Sequence, residues 1–222
     1  MAICRRPKAD RYSAFGEDIM KLFLIRHGQT LWNVEERCQG FSDIELDEVG
    51  IRQAQAIARA LRPEPLEAVY SSPLRRALVT AQYVAAPHGL EVVTDAGLME
   101  INQGEFEGLT MPELRKHGEF LREWFLRPAT LRIPGGESMA EVQDRAWAAV
   151  ERMWQAHPNG VVAAVGHNLA NITILCRAVG LALNDFRRLR QSVASISSIE
   201  MTEQGCTLTS LNQEYHLRAL CE

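Results

Sequence analysis

Apolar residues along the chain fall into two periodicities. Residues 21–26 (KLFLIR) are apolar on both faces and read as a strand buried in a sheet. The stretch EVGIRQAQAIARAL follows Asp47 and carries Val49, Ala54, Ile57, Ala58 and Leu61 on one side, the pattern of an amphipathic helix that Pro63 and Pro65 stop. A second strand is expected at 66–71. Ser72-Pro73 then reads as an N-cap with proline at the first helical position, so a helix is expected over 73–86. A short strand follows at 91–94. Thr110-x-x-Glu113 and Ser138-x-x-Glu141 are capping-box spacings and predict helices over 111–126 and 139–156, with Pro134-Gly135-Gly136 in the loop between them. The most apolar strand is 161–165, and a helix is expected over 168–180. A strand pair at 193–201 and 206–211 closes around Glu203-Gln204-Gly205. Strands alternating with helices imply an α/β fold: three layers, α/β/α, around a mostly parallel central sheet.

Composition adds limits to this picture. The 222 residues are 46% hydrophobic, enough to bury the core of one domain, which is expected over 20–222. Residues 1–19 lack an apolar run and read as an N-terminal extension, flexible or an over-extended start, with Met20 directly before the first strand. The net charge of −4 gives no global attraction to nucleic acid or to acidic membranes, and no run of about 18 apolar residues suggests a membrane span. Cys4, Cys38, Cys176, Cys206 and Cys221 are odd in number and lack C-x-x-C spacing, which fits reduced thiols in a cytoplasmic protein. Oligomeric state is open, with a homodimer among the options.

The chemistry concentrates at strand ends. Two buried strands each deliver a histidine at the carboxyl end, His27 and His167, and open α/β sheets bind ligands at that edge. Arg26 adjoins His27, and Arg76 sits near the start of the helix after the second strand. Two arginines and two histidines suit a phosphate dianion, whose oxygens match guanidinium forks. Neither histidine has zinc-ligand spacing, so no metal and no cofactor are expected. Taken singly, a histidine after a strand is more often a packed residue, and Arg75-Arg76 alone would read as a solvated helix face.

The motifs carry more. LIRHGQTLWN at 24–33, RCQGFSDIELDEVGIRQA at 37–54, SSPLRRALVTAQ at 71–82, LMEINQGEFEG at 98–108 and PGGES at 134–138 followed by VVAAVGHN at 161–168 occur in that order. Together with the ending LNQEYHL at 211–217, they resemble the histidine phosphatase superfamily, which includes the cofactor-dependent phosphoglycerate mutases. The resemblance spans roughly 20–217 and implies the phosphoglycerate mutase-like fold and hydrolysis of a small phosphorylated metabolite through phosphohistidine. It implies His27 as the nucleophile, with Arg26, Arg76 and His167 holding the phosphoryl oxygens. Glu100 is then the acid that protonates the leaving oxygen. Asn33 and the Asn168 amide would line the phosphate pocket, while Gln39, Glu105, Glu107 and residues 110–137 would frame the leaving group. Arg75 is left on the surface. Such chemistry needs a neutral His27, because an imidazolium has no lone pair to attack with, and a protonated carboxyl at Glu100.

Two departures stand out: Gln29 replaces a common Glu after RHG, removing a charge near the phosphate, and Asn168 replaces a common Gly after the second histidine. Two alternatives are weighed. A phosphoglycerate mutase would carry a longer chain and a different stretch where GEFEGLTMPEL stands at 104–114. A non-catalytic phosphate-binding regulatory module would typically have lost the nucleophile or an arginine, and both are retained here. Trp124 and Phe125 read as helix core rather than ligand wall.

Overall fold

The computed structural model of the chain describes residues 18–220. Its strands are β1 (Met20–Arg26), β2 (Ala68–Ser71), β3 (Val92–Thr94), β4 (Val161–Gly166), β5 (Ile196–Thr202) and β6 (Gly205–Gln213). They form one sheet in the order β3-β2-β4-β1-β5-β6. The pairings β3/β2, β2/β4 and β4/β1 are parallel, while β1/β5 and β5/β6 are antiparallel. The expected mostly parallel sheet is therefore present, with its closing hairpin at one edge.

The helices are α1 (Leu31–Val34), α2 (Glu48–Leu61), α3 (Arg75–Ala85), α4 (Met111–Leu114), α5 (Gly118–Leu126), α6 (Met139–Ala156) and α7 (Asn168–Ala178). Alternation along the strands decides which helix packs where. Phe23 and Ile25 of β1, with Ala163 and Val165 of β4, pack against Ile57 and Leu61 of α2 and against Ala77, Ala81 and Val84 of α3. Leu22, Leu24, Val162 and Ala164 face the other way, onto Ala146, Val150 and Met153 of α6 and Ile174 and Leu175 of α7. The result is the expected α/β/α sandwich. A third apolar cluster joins the 101–133 segment to α6 and α7 through Ile101, Phe106, Leu114, Ile133, Met139 and Val142.

Several boundaries differ from expectation, each for a local reason. Ser72 does not cap α3: the helix begins at Arg75 with Leu74 as N-cap, and the Arg75 N–H donates to the Asp43 carboxylate at 2.7 Å. A side chain from a distant loop thus satisfies the end that Ser72 was expected to serve. The single helix expected over 111–126 is two helices joined by a 3₁₀ turn over Arg115–His117. The bend before Gly118 lets Leu114, Phe120, Leu121 and Trp124 all reach the third cluster. β5 starts at Ile196, because Ala194 has φ +58 and ends the preceding loop. The 1–19 extension and Cys4 and Cys221 lie outside the described residues, apart from Asp18 and Ile19, whose N–H donates to Asn159 Oδ1 at 3.2 Å.

Candidate active site

The register of two neighbouring strands brings the histidines together. Arg26 of β1 pairs with Gly166 of β4, so the residues that follow, His27 and His167, leave the sheet side by side. Their ring centroids lie 5.1 Å apart. The chain then turns tightly against the first turn of α2, where a Cβ on Gly28 would meet the Gly50 carbonyl oxygen at 2.5 Å. The glycine after the histidine is thus required by backbone crowding.

His27 is 3% exposed, and its Nδ1 donates to its neighbour's carbonyl, Gly28 O, at 2.7 Å. That bond fixes the tautomer with the Nε2 lone pair free. Burial first, then the positive charges of Arg76 and Arg26, hold the His27 pKa well below the usual histidine value. His167 is fully buried and is held low by burial, then by Arg76, His27, Arg26 and Arg145. Both rings are therefore neutral at physiological pH. The Nε2 of His167 pairs with the Ser72 hydroxyl at 2.8 Å, and its Nδ1 has no partner among the described residues.

Arg76 is fully buried, and its terminal nitrogens donate to the Ser42 carbonyl at 2.6 Å and the Gly40 carbonyl at 2.8 Å. Burial pushes its pKa down to about 10, against the pull of Glu100, Asp43 and Glu107, so it stays cationic at neutral pH. Arg26 donates to the Gln191 carbonyl at 2.9 Å, and burial lowers its pKa against the nearby Glu100. Neither guanidinium forms an ion pair among the described residues, and the Nε atoms of both are buried without an acceptor. A buried cation without a counter-charge costs several kcal/mol, which makes the fully buried Arg76 expensive for the fold. Arg75, by contrast, is exposed and bridges Asp43 and Glu45.

The space between these groups is a cavity of about 140 Å³ lined by Arg26, His27, Asn33, Gln39, Arg76, Glu100 and Asn168, with Arg37, Cys38, Gly40, Gln103 and Leu169 completing it. Seven of the residues expected at the site from the sequence line it; His167 does not, and instead packs its ring against that of His27 behind the cavity wall. Asn33 spends its Oδ1 on Thr30, accepting from its N–H and hydroxyl at 3.0 Å each, which leaves the Nδ2 donors for a ligand. Gln39 has a buried Oε1 without a donor. Asn168 opens α7, which places its backbone N–H at a helix N-terminus. The Glu100 carboxylate accepts from the Leu169 N–H at 3.1 Å and the Ala170 N–H at 3.2 Å, on that same first turn.

Other expectations are corrected. Gln29 does not line the cavity; its Nε2 donates to Asp47 at 3.0 Å and ties the loop to the start of α2. Glu107 braces the 40–42 loop by accepting from the Phe41 N–H at 2.7 Å and the Ser42 hydroxyl at 2.6 Å, and neither it nor Glu105 lines the cavity. Trp124 joins the third cluster, but Phe125 is 55% exposed.

Sequence reasoning missed the supporting residues. Ser72 was legible only as a cap. Arg145, in the middle of α6, donates to the carbonyls of Gly97, Met99 and Glu100 at 2.7–2.9 Å and pairs with Glu137 at 2.9 Å, so it fixes the loop that carries Glu100. Nothing in its spacing separates it from a solvated helix arginine. Among the described residues no cluster of three or more His, Cys, Asp or Glu side chains could hold a metal ion. No helix of the described residues is long and apolar enough to cross a membrane.

Comparison with known proteins agrees with this geometry. Residues 22–214 match the model of the histidine phosphatase superfamily, branch 1. The chain is 34% identical over 200 residues to phosphoserine phosphatase 1 of Hydrogenobacter thermophilus, covering 90% of this chain and 95% of that one. It is also 34% identical over 205 residues to the protein named "Probable phosphoglycerate mutase GpmB" of Yersinia pestis, with the same coverage. A mycobacterial glucosyl-3-phosphoglycerate phosphatase, solved with VO3, superposes with a TM-score of 0.80 at 29% identity over 87% of this chain and 99% of that one. With the motifs, the sheet and the match all spanning the same residues, the chain belongs to the histidine phosphatase superfamily, branch 1.

Proposed function

We propose that His27 is the nucleophile of a metal-independent phosphatase, that Arg26, Arg76, His167, Asn33 and the Asn168 amide hold the transferring phosphoryl group, and that Gln39 faces the leaving group. The enzyme is a phosphatase that acts on small phosphorylated metabolites. The observation that carries the residue assignment is the buried Arg76 and half-buried Arg26 guanidiniums, neither in an ion pair among the described residues, beside a buried neutral histidine of fixed tautomer.

The transition state of phosphoryl transfer spreads negative charge over three oxygens, and fixed cations and N–H donors stabilise it without reorganising. The His27 Nε2 lone pair forms the N–P bond while the P–O bond to the leaving group breaks. Glu100 gives its proton to the departing oxygen. Water then attacks the phosphohistidine, Glu100 takes a proton from that water, and inorganic phosphate leaves with His27 restored. Neutrality of His27 supports the first step, and the arginines that surround it serve both.

Labelling tests this reading. Enzyme quenched in base during turnover of [32P]-p-nitrophenyl phosphate is expected to carry label on His27, with activity undiminished in excess EDTA. His27→Ala is expected to fold and to lose nearly all turnover and label. Full activity in a folded His27→Ala variant would overturn the assignment. Loss on chelation, with recovery on adding a divalent metal, would overturn metal independence.

A further inference from the structure

The phosphate cavity is too small for a whole metabolite, and the leaving group must project from it. A larger cleft of about 680 Å³ adjoins it and shares Arg26, Asn33 and Asn168 as walls. Its far wall is the segment after α7, including Phe186, Arg187, Arg190 and Gln191. Gln191 is the residue whose carbonyl holds Arg26, so this wall is tied to the phosphate grip. Asn168 stands at the junction of the two spaces, and its side-chain amide has no hydrogen bond among the described residues.

Arg187 is held in an unusual way. Its guanidinium carbon lies 4.1 Å from the Phe125 ring centroid, 4.3 Å from that of Phe186 and 5.3 Å from that of Trp124. Phe186 is buried and Trp124 packs in the third cluster, so two of the three rings are anchored. Of the exposed arginines, Arg75, Arg127, Arg132 and Arg152 form ion pairs, whereas Arg52, Arg59, Arg62 and Arg122 form none among the described residues, so it is the triple stacking that sets Arg187 apart. Arg187 and Arg190 form none among the described residues. Glu36 is the one acidic residue on the cleft wall, against Arg26, Arg187 and Arg190. A planar cation fixed by stacking keeps its N–H edges free for an anion and loses little side-chain entropy on binding it. The exposed Phe125, which core packing does not explain, becomes part of this platform.

From this placement we infer that Arg187, with Arg190, binds a second anionic group on the leaving portion of the substrate, a carboxylate or a second phosphate, and so determines specificity. The inference rests on the phosphatase reading above for the direction in which the leaving group projects. The substrates favoured are phosphomonoesters with an anion at the far end, and Asn168 would meet the atoms between.

Binding to the His27→Ala variant, which keeps both spaces but cannot turn over, tests the inference apart from the chemistry. Calorimetry would compare 3-phosphoglycerate with glycerol 3-phosphate, and fructose 1,6-bisphosphate with fructose 6-phosphate. In each pair the second compound lacks the second anion. At least tenfold tighter binding is expected for the doubly anionic member of one pair, and which pair responds identifies carboxylate or phosphate. Adding Arg187→Met and Arg190→Met, which keep the apolar stems, should abolish that preference and leave the affinity of the member with a single anionic group within about twofold. Equal binding within both pairs, or a preference that survives both substitutions, would overturn the inference. If the preference holds while the unsubstituted enzyme forms no phosphohistidine and hydrolyses nothing, the phosphatase reading fails and the anion site stands.

Discussion

At the scale of the residue, the cation that fits the fold least well is Arg76. It is fully buried, it has no carboxylate partner among the described residues, and its carbonyl contacts hold its position without neutralising its charge. A role in the proposed phosphate site would account for that cost to stability. Arg76→Met keeps most of the volume and removes the charge, and kcat is expected to fall on the order of 10²–10³. Inorganic phosphate should raise the melting temperature of the unsubstituted enzyme and leave that of Arg76→Met unmoved, since a ligand stabilises only the state it binds. Arg75→Ala, at an exposed pair of carboxylates, should change neither reading. A phosphate-dependent melting shift retained in Arg76→Met would place the anion elsewhere. Glu100 invites a different comparison. Glu100→Gln should slow phosphohistidine formation from an alkyl phosphate about 10²–10⁴-fold and from p-nitrophenyl phosphate far less, because p-nitrophenolate leaves without a proton. Rapid-quench trapping isolates that step, and equal slowing of both substrates would make Glu100 a positioning residue.

At the scale of the element, the strands that end in the two histidines were plain in the sequence, because each is a short apolar run followed by a polar stop. The pairing of β1 with β4 in register was not, since it depends on contacts between residues about 140 positions apart. The cap of α3 depends on a distant contact too: Asp43, 32 positions earlier, accepts from the Arg75 N–H, while the Ser72 hydroxyl accepts from the Leu74 N–H and pairs with His167. The capping boxes at Thr110 and Ser138 were legible because their partners lie three residues away. Family motifs pointed to seven of the residues that line the cavity and to His167 behind it, but not to Arg145, which holds backbone carbonyls of a loop about 45 positions earlier. Its four partners make a prediction at this scale. Arg145→Met should loosen the 97–100 loop and leave Glu137 without its ion-pair partner, costing about 3–5 kcal/mol for a broken buried pair, discounted for its partial exposure. Activity on alkyl phosphates should drop more than on p-nitrophenyl phosphate, the same signature as Glu100→Gln. Denaturant unfolding alongside the two assays checks both parts, and equal losses on the two substrates would detach Arg145 from the placement of Glu100.

At the scale of the whole molecule, gathering two neutral histidines and two unpaired arginines at one sheet edge couples the site to global stability through pH. His27 and His167 both have pKa values well below the unfolded value of 6.5, with burial as the leading cause and the arginines adding to it. The unfolded chain therefore binds more protons than the folded one below about pH 6.5, and stability must fall as pH drops through that window. Each histidine contributes a slope of about 1.4 kcal/mol per pH unit until its folded-state pKa is reached. His216 is also lowered by burial and adds to the slope with the same sign. Net charge acts in the opposite sense: the molecule carries −4 at neutral pH and approaches zero on mild acidification, which reduces self-repulsion. Glu113 and Glu141, lowered by their capping hydrogen bonds, lose their contribution only around and below the ordinary glutamate range. A decline between pH 6.5 and 5 thus belongs to the buried histidines. Urea unfolding across that range should show it in the unsubstituted protein, and His27→Gln with His167→Gln should flatten it to the remainder left by His216. Saturating phosphate should flatten it as well, because the dianion offsets the arginines and makes room for a proton on either ring. A slope unchanged by both substitutions would mean that the two histidines titrate alike in the folded and unfolded chains, and the neutral nucleophile would lose its physical basis.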